Sequence, residues 1–210
     1  MSKAYERGVT IFEPHCLPPI HFEKNLKWPG KGVKPEDWYW EQIKAGRISK
    51  EAAKLQGLWF LVDGSQKPNH DSGRQLYEND PLGPTLARLR QEGKIAVPSS
   101  YRHIPDASRF AVSWDEVTQH VNPAVAELLG VEVSQVRLPR AIEFNVLGNL
   151  FHPEWGETTT WEWFEDVFGG GRRLHGGYSV YGGLADVDHY WSDGRDDIGF
   201  RPLVVFPSKT

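Results

Sequence analysis

The sequence predicts an α+β fold with small antiparallel sheets, a few helices and long irregular loops. The chain has nine Trp, ten Phe and seven Tyr among its 210 residues, and many of them stand in short runs separated by Gly and Pro. Such runs favour short strands and turns over long helices. Helical periodicity with start and stop signals recurs in only a few short segments.

In the N-terminal half, two segments carry helix signals and one carries a strand signal. Residues 35–45 begin with Pro and Glu and are followed by Gly46, which predicts a short helix. Residues 58–62 are apolar and stop at Asp-Gly, which predicts a buried strand. The polar stretch 67–77 is interpreted as a loop. Residues 81–91 predict a second helix, closed by Gly93.

After residue 108 the pattern becomes more regular. Residues 109–113 predict a short strand, and Ser113 with Glu116 has the capping-box spacing that opens a helix reaching about residue 130. Another helix is expected from Pro139, and residues 199–206 predict a last strand. We therefore divide the chain into an N-terminal extension, 1–105, packed on or continuous with the core, and a domain at 106–210.

The charge balance and hydropathy disfavour several classes of protein. The formal net charge is −4, from 24 basic and 28 acidic side chains, whereas nucleic-acid binding favours a basic surface. The longest apolar run, residues 57–62, is too short to span a bilayer. The first fifteen residues lack an apolar stretch of signal-peptide length. We expect no nucleic-acid partner, no membrane insertion, and a location in the cytoplasm or within a virion.

Few residues carry recognisable catalytic or metal-binding patterns. Cys16 is the only cysteine, so the chain cannot form an intramolecular disulfide, and we expect its thiol to be buried or partly buried. The eight histidines show neither a helical i,i+4 ligand spacing nor an H-x-H spacing. The residue patterns therefore predict no catalytic residue, no metal site and no cofactor.

Five segments of the C-terminal half, in order, resemble the formylglycine-generating-enzyme type of C-type-lectin fold. These segments are FAVSWDEV at 110–117, RLPRAIEFN at 137–145, TWEWFED at 160–166, RLHGGY at 173–178 and GFR at 199–201. The resemblance covers about 95 residues and implies a C-type-lectin-like domain at 106–210. It implies buried tryptophans beneath the loops, at Trp155, Trp161 and Trp163.

The same segments suggest particular contacts. Gly176 and Gly177 would allow a close backbone approach where a Cβ would clash. Arg137 and Arg201 would each form a fork with a carboxylate. The candidate carboxylates are Glu143, Glu162 and Asp166.

The enzymes of this family rely on chemistry that the chain does not match. The oxidase branch uses a cysteine pair in its C-terminal part, whereas Cys16 is alone and near the N-terminus. The iron-dependent relatives use a His/His/Glu cluster on an N-terminal helix pair, and His15 and His21 lie instead in a Pro-rich stretch. We therefore expect a binding protein and not an enzyme.

A narrower resemblance concerns residues 174–202, LHGGYSVYGGLADVDHYWSDGRDDIGFRP. This segment resembles the variable region of diversity-generating retroelement variable proteins, in which a reverse transcriptase randomises adenines of a template copy. Such copies typically end in I-G-F-R-P, as residues 198–202 do. Altered AAC codons do not reach Lys, Glu, Gln, Met or Trp. Residues 174–200 contain no Lys, Glu, Gln or Met, and their one Trp, Trp191, is assigned to the fixed frame.

The resemblance implies a variable binding surface at about 174–200 within a fixed frame. We expect the variable positions to be exposed on one face, and Trp191, Ile198 and Phe200 to be buried. The implied variable positions are Tyr178, Val180, Tyr181, Asp186, Asp188, His189, Tyr190, Gly194, Asp196 and Asp197. Exposed Tyr with small polar residues is typical of paratopes. The predicted partner is an unknown protein or cell-surface ligand with a basic rim, and oligomerisation stays open.

Two alternatives remain open. A calcium-dependent carbohydrate-binding lectin would use clustered Asp oxygens, and Trp191-Ser192-Asp193 is one residue from the W-N-D signature of sugar-binding lectins. The sequence lacks the E-P-N or Q-P-D motif that accompanies this signature in such lectins. A metal or thiol enzyme of the formylglycine-generating-enzyme type is the other alternative, because a fold does not fix a function.

Overall fold

The computed structural model describes residues 11–67, 70–71, 74–75, 79–96 and 98–206. In this part of the chain it has an α+β fold, as predicted. The helices are α1 (Asp37–Lys44), α2 (Gly83–Gln91), α3 (Trp114–Glu116), α4 (Asn122–Leu129) and α5 (Ala141–Leu150). None of them has the length and apolar character needed to cross a membrane.

The strands of the described residues are short. They are β1 (Phe12–Cys16), β2 (Pro19–His21), β3 (Lys54–Gln56), β4 (Trp59–Asp63), β5 (His70–Asp71), β6 (Arg74–Gln75), β7 (Val136–Arg137), β8 (Trp161–Phe168), β9 (Arg172–Gly176), β10 (Val187–Tyr190), β11 (Ile198–Gly199) and β12 (Leu203–Phe206). The predicted strand at 58–62 corresponds to β4. The predicted strand at 199–206 is divided between β11 and β12.

Two four-stranded sheets form the centre of the molecule. The first has the order β1-β4-β12-β7 and is antiparallel throughout. The second has the order β10-β9-β8-β11, in which only β11 runs parallel to its neighbour. Because β12 pairs with β4, the last strand of the chain is hydrogen-bonded to the segment predicted as an N-terminal extension.

The strands send alternate side chains into two hydrophobic clusters. Phe60 and Val62 of β4 pack in the cluster that contains residues of α5, whereas Leu61 packs in the cluster that contains residues of α2 and α4. In the second sheet, Phe164 and Trp163 divide in the same way. This alternation is the two-residue period of a strand buried on both faces.

Helix starts follow the sequence signals closely. Ser113 Oγ accepts a hydrogen bond from the Glu116 N–H at 3.1 Å, and Glu116 Oε2 accepts one from the Ser113 N–H at 2.8 Å. The predicted capping box is confirmed. The helical segment continues through a π-helical stretch, Val117–Val121, and ends at Gly130 with a left-handed φ of 66°.

The predicted strand at 109–113 is wrong. Ala111 has a φ of +54°, which no strand residue adopts. Its N–H donates to the Arg195 carbonyl at 2.8 Å, and the Trp114 N–H donates to the Ser192 carbonyl at 2.9 Å. The segment therefore bends and forms backbone hydrogen bonds with the loop at 192–195, and it does not pair with a strand.

Buried arginines connect distant parts of the chain. Arg109 lies 2.7 Å from Asp63 and 2.6 Å from Asp80, and all three side chains are almost fully buried. The Arg201 guanidinium donates two hydrogen bonds to the Glu162 carboxylate, at 3.1 and 3.2 Å. Charges buried this deeply stabilise a fold only when they are paired, so these contacts fix the relative positions of their segments.

The second predicted arginine fork is also present. Arg137 donates to both carboxylate oxygens of Glu143, at 2.7 and 2.8 Å. These bonds and the Arg140 side chain lower the pKa of Glu143 to about 2 against the opposing effect of burial. Asp166 instead accepts the Ala141 N–H at the start of α5, at 2.7 Å.

Two side chains are placed differently from the expectation. Cys16 is exposed and not buried, because the end of the edge strand β1 faces solvent on the side that carries Pro14 and Cys16. Lys67, which begins the segment predicted as a polar loop, is 1% exposed. The loop prediction is also wrong at residues 70–71 and 74–75, which pair with each other as the antiparallel strands β5 and β6. The other residues of that segment, 68–69, 72–73 and 76–77, lie outside the described residues.

Candidate binding surface at residues 174–200

Strand β10 forms one edge of the second sheet. All four of its residues, 187–190, belong to the predicted variable region. It pairs with β9 in the register Val187 to Gly176 through Tyr190 to Arg173. Gly176 is required by this pairing, since a Cβ there would lie 2.1 Å from the Asp186 carbonyl oxygen. Gly177 has a φ of +95° and lies against Lys67 and Phe144. The predicted close approach at this Gly pair is confirmed.

The alternation of β10 divides the predicted variable residues between two faces of the sheet. Asp188 pairs with His175 and shares the face of Trp163, whereas His189 pairs with Leu174 and lies on the opposite face. The His189 ring stacks on Phe168 with a centroid distance of 4.1 Å. The expectation of a single face is therefore wrong within the strand, because successive strand residues point in opposite directions.

Most of the ten predicted variable residues reach solvent. Val180 and Tyr181 are 71% and 63% exposed, and Asp188 is also exposed. The partly exposed members are Tyr178, His189, Tyr190, Gly194, Asp196 and Asp197. The fixed residues Ile198 and Phe200 are fully buried, as expected.

Asp186 is an exception, since it is only 3% exposed. Its Oδ2 accepts the Tyr178 N–H at 2.9 Å, and its backbone carbonyl accepts the Gly177 N–H at 3.3 Å. Burial, together with the nearby charges of Glu36 and Asp188, raises its pKa to about 6. Asp186 therefore fixes the loop that presents Tyr178, and its expected exposure is wrong.

Gly194 is the other constrained position. A Cβ at Gly194 would lie 2.8 Å from the Ala111 carbonyl carbon and 3.0 Å from its oxygen. Backbone atoms cannot move aside cheaply, so larger residues at this position require a shift of the loop. Gly194 is thus less interchangeable than its neighbours.

Trp191, expected in the fixed buried frame, is 51% exposed. The guanidinium of Arg172 lies 4.7 Å from the centroid of its ring, which is a cation–π contact. The adjoining Ser192 Oγ donates to Asp115 at 3.0 Å. The Trp-Ser-Asp segment is thus placed on the surface by contacts with β9 and α3.

Three aromatic rings form a continuous exposed cluster. Trp161 lies 4.3 Å from Tyr178 and 5.8 Å from Tyr181, measured between ring centroids, and the last pair is stacked. Trp161 is only partly buried, in contrast to Trp155 and Trp163, which are fully buried. The expected burial of Trp161 is therefore incomplete, because its ring supports the two tyrosines.

A groove of about 470 Å³ opens beside this aromatic cluster. Its lining residues are Glu36, Trp38, Trp161, Tyr181, Asp186, Val187 and Asp188. Three of them are acids and three are aromatic. Burial and the charges of Asp188 and Asp37 raise the pKa of Glu36. A positive group bound here would be attracted by carboxylates and by aromatic faces.

Two buried bases lie next to residues of the binding surface. The Lys67 ammonium donates to the carbonyls of Thr160 and Gly177, at 2.7 and 2.6 Å, and burial lowers its pKa to about 7. The His175 ring lies edge-on to Trp161 and Trp163, and burial lowers its pKa to about 3. These contacts connect the surface loops to the buried strands.

A second part of the surface lies at the far end of β10. The Arg195 guanidinium is 4.7 Å from the centroid of Tyr190 and pairs with Asp197 at 2.9 Å. Asp196 and Asp197 also lie close enough to Tyr101 to raise the pKa of its hydroxyl, although burial is the larger cause. Asp197 is therefore paired, which reduces the net acidity expected of this patch.

Sequence reasoning missed Glu36 and Trp38, which come from the N-terminal part of the chain. The Glu36 carboxylate accepts the Val187 N–H at 3.3 Å, and the Glu36 N–H donates to the Ala185 carbonyl at 2.9 Å. Trp38 lies 5.6 Å from His189 between ring centroids. No spacing within one segment of the sequence indicates these long-range contacts. The one sequence signal for them is an aromatic residue, Trp38, in the polar first turn of α1.

No family model matches the chain, and no curated protein does. A solved structure, the crystal structure of CarF, is similar over 93% of this chain and 99% of that chain, with a TM-score of 0.50 and 14% sequence identity. At this identity the similarity concerns the fold alone. It carries no inference about a ligand or a reaction.

Proposed function

We propose that this chain is a variable ligand-binding protein, which acts by recognising a partner and not by catalysis. The binding surface comprises Tyr178, Val180, Tyr181, Asp188, His189 and Tyr190, together with the groove beside them. Its positions would be diversified by a retroelement. The partner would be a protein or another cell-surface ligand.

The observation that carries this proposal is the division between exposed and buried positions in residues 174–200. Val180, Tyr181 and Asp188 are exposed, while Leu174, Ile198 and Phe200 are buried. A surface that tolerates many residues needs exposed variable positions on a packed support, because changes in a packed core destabilise a protein.

The chemistry of the surface favours a protein partner that presents a basic side chain. The aromatic cluster supplies large contact area, and aromatic residues dominate the binding energy of many interfaces. The adjacent groove places Glu36, Asp186 and Asp188 near Trp38 and Trp161. We expect an Arg or Lys side chain of the partner to lie in this groove, with its stem against the aromatic rings.

The decisive experiment compares two display libraries. One library varies positions 178, 180, 181, 188, 189 and 190 over the residues that altered AAC codons encode. The control library varies six exposed positions of the other surfaces, namely Lys31, Lys44, Lys50, Glu92, Glu132 and Val133. Both are selected against one basic and one acidic test protein of known structure.

We expect the first library to yield folded binders, enriched for the basic protein, and the control library to yield none above background. Equal yields from the two libraries would contradict a dedicated binding surface. The retroelement itself is tested separately by sequencing the neighbouring DNA. A reverse-transcriptase gene and a near-copy of codons 174–202, with adenines at the variable positions, are the expected result, and their absence would contradict diversification.

A further inference from the structure

A group of three metal-ligating side chains lies outside the binding surface. Glu13 and His15 are two residues apart on β1, so both side chains point to the same face of the strand. His152 follows the end of α5 and meets them there. The Glu13 Oε2 lies 3.4 Å from His15 Nε2 and 3.3 Å from His152 Nε2.

The geometry of the three donors matches a metal site. One donor atom of each residue lies within 4.8 Å of the other two. Ligands at metal distances of about 2.0–2.2 Å in a tetrahedral site stand about 3.4 Å apart, which is close to both measured Glu–His separations. Among the described residues, this is the one group of three or more such side chains that meets this spacing.

The Nε2 atoms of both histidines point into the group, where each faces the Glu13 carboxylate at 3.3–3.4 Å. His152 is only 7% exposed, and neither its Nε2 nor the Nε2 of His15 makes a hydrogen bond within the described residues. A buried polar atom without a hydrogen bond is costly and requires an explanation. A bound cation would use the lone pairs of both nitrogens.

The surroundings fix the orientation of both rings. His152 Nδ1 lies 3.1 Å from Glu154 Oε1, an arrangement that directs Nε2 toward Glu13. Metal-binding histidines commonly have such a carboxylate on the second ring nitrogen. The His152 ring is parallel to Trp155 at 4.3 Å between centroids, and the His15 ring stacks on Phe151 at 4.2 Å.

We propose that Glu13, His15 and His152 bind a divalent transition-metal ion of the zinc class, with one coordination position open to solvent. Two imidazoles and one carboxylate are ligands that suit Zn²⁺, and three protein ligands leave a fourth position for water. Glu13 is about half exposed, which gives the ion access from solvent.

Such an ion would connect strand β1 to the residues after α5. The site shares no residue with the proposed binding surface, so the two proposals succeed or fail separately. Glu13 and His15 were not identified from the sequence because they alternate along a strand, and His152 is far from them in the chain.

The test measures Zn²⁺ binding to the full chain after treatment with a chelator. Calorimetry gives the affinity and the stoichiometry, and Co²⁺ substitution gives a visible absorption that reports the coordination number. We expect one equivalent of metal and a raised melting temperature in its presence. Failure of the chelated wild-type protein to bind one equivalent would overturn the proposal.

Three variants test the proposed site. We expect Glu13→Gln and His152→Gln each to weaken binding by more than tenfold, and Glu154→Gln by about 10–100-fold. The matched controls are His21→Gln and Cys16→Ser, which remove an exposed imidazole and the exposed thiol on the opposite face of β1. Full affinity in folded Glu13→Gln, or loss of binding in Cys16→Ser, contradicts this ligand set.

Discussion

The charged side chains beneath the binding surface and those on it are held in different ways. Arg201 and Arg109 are fully buried, and each is paired with carboxylates from distant segments. On the surface, Asp188 is exposed and accepts a hydrogen bond only from the adjacent His189 N–H among the bonds described, at 2.7 Å. The comparison teaches that long-range ion pairs fix the buried charges, whereas the exposed carboxylate of Asp188 is held by its own local backbone.

The largest expected effect comes from separating residues 106–210 from the N-terminal segment that they pack against. Expression of residues 106–210 alone removes β1 and β4, so β12 keeps only the two-residue strand β7 as a partner. It also removes Asp63 and Asp80, the two carboxylates that pair with the buried Arg109. We expect the fragment to be unfolded by circular dichroism and by amide NMR dispersion. A cooperatively folded fragment would show that the N-terminal segment is dispensable.

A matched pair of tryptophans separates support from surface within one strand. Trp163 is fully buried, whereas Trp161, two residues earlier on the same face of β8, is partly exposed. We expect Trp163→Ala to cost roughly 3–5 kcal/mol in free energy of unfolding, because it leaves a large cavity. Trp161→Ala should cost less than half as much, although it removes the ring that supports Tyr178 and Tyr181.

Urea denaturation of both variants measures these costs directly. Phe200→Ala, which alters another fully buried ring, is a second positive control and is expected to resemble Trp163→Ala. Equal destabilisation by the two tryptophan substitutions would place Trp161 in the support.

A smaller effect concerns the pH dependence of stability. Burial lowers the pKa of His175 to about 3, whereas an unfolded histidine titrates near 6.5. Between these values the unfolded state binds more protons than the folded state, so stability falls as the pH falls. At pH 4.5 this loss is roughly 2–3 kcal/mol relative to pH 7 or above.

We expect the free energy of unfolding of the His175→Gln variant to lack this decrease between pH 7 and pH 4.5. The measurement is the free energy of unfolding at pH 7 and pH 4.5 for wild type and variant, with exposed His21→Gln as the control. If the wild type and His175→Gln lose the same amount on acidification, His175 is not a buried neutral base.

The smallest effect per residue is expected on the binding surface. In the variant that replaces Tyr178, Tyr181, Asp188, His189 and Tyr190 together, the exposed Tyr181 and Asp188 should each cost about half a kcal/mol or less, the usual range for substitutions away from packed positions. Tyr178, His189 and Tyr190 are half-buried against neighbouring rings or the core, so each of them should cost more. Denaturant unfolding of this five-residue variant tests the estimate. A loss as large as that of Trp163→Ala would assign these positions to the support.

Asp186 and Gly194 test the same difference between constrained and replaceable positions. Although the sequence pattern groups them with the variable positions, their contacts place them with the support. We expect Asp186→Ala and Gly194→Val to destabilise the protein more than any single change among the five surface residues. Thermal unfolding of the single variants provides the measurement.

Sequence reasoning succeeded where the signal is local or strongly constrained. The capping box at Ser113 and Glu116 has a fixed spacing, and the Gly pair at 176–177 marks a close approach. The two arginine forks were also anticipated, because a buried guanidinium requires a carboxylate partner.

Three of the failures, at Ala111, Asp186 and Trp191, have a common physical cause in contacts with other segments of the chain. The left-handed conformation of Ala111 depends on a hydrogen bond to Arg195, and Asp186 is buried because its loop folds over Gly177. Trp191 is 51% exposed although tryptophan is usually well buried, and one face of its ring packs against the Arg172 guanidinium of strand β9. A pattern within one segment carries no information about such partners.

The edge position of β10 affects how the molecule tolerates an unfavourable variant. This strand has one neighbour in its sheet, β9, while β8 and β9 lie inside the sheet. A poor combination of residues at 188–190 therefore weakens pairing along one side only, and β10 can separate from β9 while β8 keeps its pairs. Local opening of this kind requires less free energy than global unfolding. The amide protons of β10 should accordingly exchange with solvent sooner than those of β8, so a defective sequence loses its ligand before the protein loses its fold.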